Sequence, residues 1–104
     1  MIKNDIERRL KLRITESPLD KTIQKKTYAN GQLAIYINDI DGQPFAELSL
    51  SKDSVYLDQE EFILKEYSEN AELVEELVNL KIITLTDKFV LIGSHFCPIC
   101  KVLI

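Results

Sequence analysis

The 104-residue chain has few of the residues that usually build catalytic, metal or phosphate sites. It contains one histidine, His95, two cysteines, Cys97 and Cys100, and three glycines that stand singly. A Ser-His-Asp triad would have to use the sole histidine, and no glycine-rich loop is available to cradle a phosphate group. This scarcity predicts a protein that is not an enzyme and that uses no cofactor.

The sequence also lacks a long apolar run. Seven charged residues interrupt positions 1–13, so this segment has no apolar centre of the kind found in signal peptides. A membrane-spanning helix needs about 20 predominantly apolar residues in succession, and no stretch meets that requirement. Two closely spaced thiols in a cytosolic protein are more often reduced or metal-bound than joined in a structural disulfide. These features predict a cytoplasmic protein that does not enter a membrane.

Length and composition indicate a single domain over residues 1–104. The chain is 45% hydrophobic and 29% charged, which is ordinary for a globular protein large enough to hold one core. Helical spacing of apolar residues predicts a short, frayed helical segment at residues 1–9. Alternation then predicts a strand over Leu10–Thr15, which Ser17-Pro18 ends because the residue before proline avoids the helical region.

Most of the following residues favour strands. Lys21–Tyr28 alternates weakly and, with its lysines, predicts an edge strand. Tyr28–Leu50 predicts a β-hairpin, because Asp41-Gly42 separates two β-rich arms. The first arm has apolar residues on both faces, which is typical of a central strand. A short β-prone run follows at Val55–Leu57.

The clearest helix is predicted at Ala71–Leu80, where apolar residues recur at helical spacing and glutamates take the opposite face. Phe62–Tyr67 fits either a helix or a strand, whereas Lys81–Thr86, Lys88–Ile92 and Phe96–Leu103 are β-rich. These elements predict an α+β fold: a twisted, mainly antiparallel sheet of about five or six strands, with one main helix packed on one face over the hairpin.

The C-terminal His-x-Cys-x-x-Cys sequence is a weak pattern of metal-ligating side chains. His95, Cys97 and Cys100 supply three ligands, but tetrahedral zinc takes four and no second Cys-x-x-Cys is present. Too few residues follow Cys100 to form the helix that activates a thioredoxin-like cysteine. The sequence therefore favours cysteines that fill space in a terminal strand, and a small metal- or redox-responsive module is the alternative.

Charge is distributed unevenly along the chain. Residues 1–37 carry a net charge of +4, residues 38–87 carry −10 and residues 88–104 carry +2. An acidic surface on a small domain would be attracted to the basic groove of a nucleic-acid enzyme, although acidic residues more often only keep a protein soluble. The candidate partner-binding carboxylates are Asp39, Asp41, Asp53, Asp58, Glu60, Glu61, Glu69, Glu72, Glu75 and Glu76.

Several sequence blocks carry a resemblance to a known group of proteins. Tyr28–Ile35 contains Tyr-Ala-Asn-Gly, Gly42–Leu50 contains Pro-Phe-Ala, and Gly93–Cys97 reads Gly-Ser-His-Phe-Cys. Together with Tyr56-Leu57-Asp58, these blocks resemble a family of short uncharacterised proteins carried on conjugative elements, plasmids and phages. Small acidic proteins of mobile elements often block host defences, and type II-A anti-CRISPR proteins are similar to this chain in size and character.

The resemblance implies a non-catalytic inhibitor of a host nucleic-acid-processing defence system. The expected target is a CRISPR effector such as Cas9, blocked in its activity or in its guide-RNA loading by the acidic surface. Direct nucleic-acid binding is not expected, because the basic segment Arg8–Lys26 lacks interleaved aromatic residues that stack on bases. A homodimer through the C-terminal strand is also predicted, since an uncovered apolar edge invites pairing with a second strand.

Overall fold

The computed structural model describes residues 6–13, 19–65 and 71–104. Its helix is α1 (Ala71–Asn79), and its strands are β1 (Ile6–Leu12), β2 (Leu19–Thr27), β3 (Leu33–Asp39), β4 (Pro44–Glu47), β5 (Ser49–Leu50), β6 (Glu61–Leu64), β7 (Ile83–Ile92) and β8 (His95–Val102). The described strands form two antiparallel sheets, in the orders β1-β2-β3-β4 and β5-β6-β8-β7. The predicted α+β class, the antiparallel pairing and the single main helix are confirmed.

The strands divide between two sheets, whereas the sequence pattern predicted one. The division occurs at Leu48, whose N–H donates to the Ile35 carbonyl at 2.9 Å and whose carbonyl accepts from the Lys65 N–H at 2.7 Å. The return arm of the hairpin is therefore split, because β4 pairs with β3 while β5 pairs with β6. Alternation continues through Pro44–Leu50 and gives no sign of this change of partner.

Both sheets and the helix share one hydrophobic core. Fully buried members include Leu12 of β1, Ile35 of β3, Phe62 of β6 and Leu77 of α1. The helix ends one residue before its predicted end, and it packs mainly against β1 and β7, not over the β3–β4 hairpin. None of the helices in the described residues is both long and apolar enough to cross a bilayer.

The N-terminal strands correct two expectations. Residues 6–9 belong to β1 and not to a frayed helix, because Ile6–Leu12 pairs along its whole length with β2. Cross-strand pairing overrides the weak helical spacing of this short polar segment. β2 lies between β1 and β3, so it is an interior strand instead of an edge strand. The rest of the predicted helical segment and the Ser17-Pro18 stop lie outside the described residues.

The C-terminal strands correct two further expectations from the sequence. The two β-rich runs after the helix form one strand, β7, with a bulge between Leu85 and Lys88 where Asp87 adopts a φ of 66°. A bulge adds a residue without ending the strand, so the expected break is only local. β8 pairs with β6 on one side and with β7 on the other. The C-terminal strand therefore has no open edge at which the predicted homodimer could form.

Candidate protein-binding surface

The structure divides the predicted acidic residues into three groups. One group flanks the β3–β4 turn, the second lies in residues 51–61, which we call the acidic loop, and the third lies on α1. In that order their members are Asp39 and Asp41; Asp53, Asp58, Glu60 and Glu61; Glu72, Glu75 and Glu76. The first two groups lie near opposite ends of β3, roughly 20 Å apart. Glu69 lies outside the described residues.

The start of the acidic loop is held by the turn between β2 and β3. The Gln32 side-chain amide donates to the carbonyls of Lys52 and Val55 at 2.8 and 2.9 Å, and its oxygen accepts from the Lys52 N–H at 2.8 Å. Asn30 Nδ2 donates to Asp53 Oδ1 at 2.8 Å. The Tyr-Ala-Asn-Gly-Gln block therefore fixes the backbone of the loop, and the β-prone run at Val55–Leu57 is part of this loop, not a strand.

The end of the loop is held by ion pairs to two strands. Lys25 of β2 pairs with Glu60, and Lys88 of β7 pairs with the buried Glu61 at 2.6 Å and with Asp58 at 3.5 Å. The Lys88 ammonium lowers the pKa of Glu61 against the opposing effect of burial, and the same contact raises the pKa of Lys88. Both ends of the acidic loop are thus attached to the sheets.

An exposed tyrosine stands in the middle of the acidic loop. A cleft of about 510 Å³ lies between the β2–β3 turn and the loop, and Tyr56 is one of its lining residues. Tyr56 is 86% exposed, and it lies in sequence between two exposed aspartates, Asp53 and Asp58, that line the same cleft. Sequence reasoning missed Tyr56 because its β-prone neighbours suggested a strand. An aromatic residue flanked by aspartates in a polar connection is the signal that could have identified it.

Two of the sequence blocks named above, Tyr28–Ile35 and Gly42–Leu50, are joined by hydrogen bonds through Ser49. Tyr28 Oη lies 3.0 Å from the Ser49 carbonyl oxygen and 2.9 Å from Ser49 Oγ, and Ser49 Oγ accepts the buried Ile35 N–H at 2.8 Å. Burial raises the pKa of the Tyr28 hydroxyl well above its ordinary value, so it stays protonated and able to donate. These contacts stabilise the point where the two sheets join, which is a structural role and not a chemical one.

The other acidic residues have different surroundings. Asp39 pairs with Lys21 at 2.7 Å, and the Lys21 ammonium lies 4.6 Å from the centre of the Phe45 ring. Asp41 Oδ1 accepts the N–H of Gln43 within the turn. On the helix, Glu76 accepts the Arg13 N–H at 2.6 Å, while Glu72 and Glu75 are exposed. These two groups carry negative charge, but within residues 6–13, 19–65 and 71–104 neither has an exposed tyrosine like the one in the acidic loop.

The three possible metal ligands of the C-terminal His-x-Cys-x-x-Cys sequence do not share one face of β8. Successive side chains of a strand point to opposite faces, so His95 and Cys97 share one face while Cys100 points to the other. Both cysteines are buried and no disulfide joins them. Over residues 6–13, 19–65 and 71–104, no cluster of three or more His, Cys, Asp or Glu side chains is arranged to hold a metal ion.

The Glu61–Lys88 pair is expected to stabilise the fold in a pH-dependent way. The folded-state pKa of Glu61 lies below its ordinary value of 4.5, so the stabilisation is complete above that value and is lost as the pH falls through the folded pKa. The difference in Tm between the wild type and Glu61→Gln should therefore shrink between about pH 6 and about pH 3. Glu75→Gln, at an exposed helix position, is the control. A Glu61→Gln difference that stays constant over this range would contradict the assignment.

Comparison of the chain with protein-family models, with curated proteins and with solved structures finds no match. In the part of the chain that the structure describes, the acidic loop with its exposed tyrosine is a feature suited to recognition. Of the ten predicted carboxylates, four lie in this loop.

Proposed function

We propose that the chain is a non-catalytic, protein-binding inhibitor of a host nucleic-acid-processing defence system, and that the acidic loop is its main contact surface. The observation that carries the proposal is the exposed Tyr56 between Asp53 and Asp58, on a loop attached at both ends. Tyrosine is enriched among the residues that dominate binding energy at protein interfaces. A loop already held in place loses less conformational entropy on binding, so more of the contact energy appears as affinity.

The charge of the loop indicates the kind of partner. Carboxylates beside an aromatic anchor suit a surface rich in arginine and lysine, such as the groove in which a nucleic-acid enzyme holds phosphates. Cas9 holds its RNA–DNA heteroduplex in a positively charged channel, and the resemblance to proteins of mobile elements supports Cas9 as the target. The protein would act in the cytoplasm by competing with nucleic acid for that channel. The acidic groups on α1 and at the β3–β4 turn would add long-range attraction.

The proposal predicts that changes in the acidic loop weaken binding to a type II-A Cas9 more than equal changes elsewhere. Tyr56→Ala should raise Kd by about 30-fold or more, the effect of a hot-spot residue, without altering the fold because the side chain is exposed. Asp53→Asn with Asp58→Asn should also weaken binding. Biolayer interferometry on immobilised Cas9, with and without guide RNA, and a DNA-cleavage assay measure both effects.

The matched control removes the same charge from the helix. Glu72→Gln with Glu75→Gln changes two exposed carboxylates on α1, so it should mainly slow association and leave the dissociation rate close to that of the wild type. Equal losses of affinity for the loop and helix variants would contradict the proposal that the acidic loop is the main contact surface. Absence of binding to Cas9 in both guide-bound and guide-free forms would reject Cas9 as the target.

A further inference from the structure

The open edge of the second sheet carries a row of exposed apolar side chains. β7 lies at the edge, and Leu85, Phe89 and Leu91 are 53%, 61% and 57% exposed; Phe96 of the adjacent β8 is 71% exposed. The register places Phe96 beside Leu91, and all four side chains lie on one face of the β7–β8 hairpin. A contiguous apolar patch of this kind on an edge strand is unusual in a protein that stays monomeric.

The outer half of β7, residues 88–92, is the part of this edge suited to pairing. On one side it is bonded to β8, and in the described chain no strand neighbours its other side. Alternate N–H and C=O groups of such an edge point outward and can bond a further strand. The bulge between Leu85 and Lys88 and the turn at Gly93-Ser94 mark the two ends of this segment.

We propose that this segment pairs antiparallel with the same segment of a second copy, joining two four-stranded sheets into one of eight strands. A two-fold axis at Val90 places Phe89 opposite Leu91 of the second copy, so the apolar row continues across the axis. Lys88 then lies opposite Ile92 of the second copy, and no like charges face each other. The segment is thus self-complementary, as a two-fold interface requires.

The exposed area fits a weak, reversible dimer. Pairing of residues 88–92 brings Phe89 and Leu91 of each copy against Leu91 and Phe89 of the other, whereas Leu85 and Phe96 lie outside the paired segment. With two apolar side chains from each copy and the outward backbone groups of one short strand, the buried area falls below the roughly 1,200 Å² of standard protein interfaces, as in weak complexes. We therefore expect a dimer with a Kd in the micromolar range. The interface uses neither Tyr56 nor the loop aspartates, so this inference does not depend on the proposed target.

The test is the oligomeric state of the whole chain under reducing conditions. Sedimentation velocity over about two decades of micromolar concentration should show the mass rising from 12.0 kDa towards twice that value. Leu91→Lys should raise the dimer Kd at least about tenfold, because lysine on an edge strand opposes pairing. Ile40→Lys, at an exposed apolar position in the β3–β4 turn, is the matched control and should leave the dimer unchanged.

Circular dichroism establishes whether each variant is folded, and Phe89→Lys takes the place of Leu91→Lys if the latter is not. A wild-type chain that stays monomeric throughout the concentration range overturns the proposal that β7 pairs with a second copy. A dimer that persists in the folded lysine variants also overturns it. So does growth beyond a dimer, because a two-fold pair uses each β7 edge once.

Discussion

Leu48→Ala should lower the free energy of unfolding by about 3 to 4 kcal/mol. The side chain is fully buried in the shared core, at the residue where the chain passes from one sheet to the other. Removing it loses apolar contact and leaves a cavity that the two sheets cannot easily close, since Leu48 is hydrogen-bonded to both. A loss of this size is a large fraction of the 5–15 kcal/mol that stabilises an average domain.

Urea denaturation followed by circular dichroism measures the loss, and Leu103→Ala provides the matched control. Leu103 is 49% exposed, so the same substitution there should cost about 1 kcal/mol or less. Because the core is continuous, we also expect one cooperative transition for both sheets. A cost below about 1 kcal/mol for Leu48→Ala, or two separate transitions in the wild type, would contradict a single core joined at this residue.

The elements that the sequence predicted well are those encoded by neighbouring residues. The β3–β4 hairpin depends on Asp41-Gly42 and on alternation in its two arms, and α1 depends on apolar residues at helical spacing. Both signals lie within about ten residues and need no knowledge of distant partners. The helix accordingly begins at Ala71 as predicted and ends one residue early.

The features that the sequence did not predict depend on distant partners. Leu48 changes sheets because Lys65, in a different part of the chain, supplies its second backbone bond. Residues 6–9 become a strand because β2 pairs with them, and β2 becomes an interior strand because β1 covers its edge. Strand pairing of this kind is set by contacts across the sheet, so local propensity predicts it poorly.

The candidate site also combines features that the sequence shows with features that only the fold shows. The sequence identified the acidic residues, but only the fold shows that Tyr56, between Asp53 and Asp58, is exposed. The start of the loop that presents them is fixed by Gln32, which lies in the turn between β2 and β3. The turn between β2 and β3 thus holds the connection in which the proposed contact residues lie.

The last prediction concerns the ion pair that holds the end of the acidic loop. The Lys25 side chain is about 10% exposed and pairs with Glu60; the Ile104 carbonyl at 3.4 Å is a weaker acceptor. Glu60→Gln would leave the Lys25 ammonium buried without a counter-charge. Breaking a fully buried pair in this way costs about 3–5 kcal/mol, and because a third of Glu60 remains exposed we expect about 2–3 kcal/mol.

The control is to remove the buried charge itself. Lys25→Met keeps the apolar stem and abolishes the need for a counter-ion, so we expect it to cost less than about 1 kcal/mol, and the double variant should resemble it. A double-mutant cycle by urea denaturation measures both values. Amide hydrogen exchange in residues 52–61 should accelerate in Glu60→Gln, because the loop loses its attachment to β2. If Lys25→Met costs as much as Glu60→Gln, the attraction within the pair exceeds the cost of burying it, and the pair stabilises the fold outright.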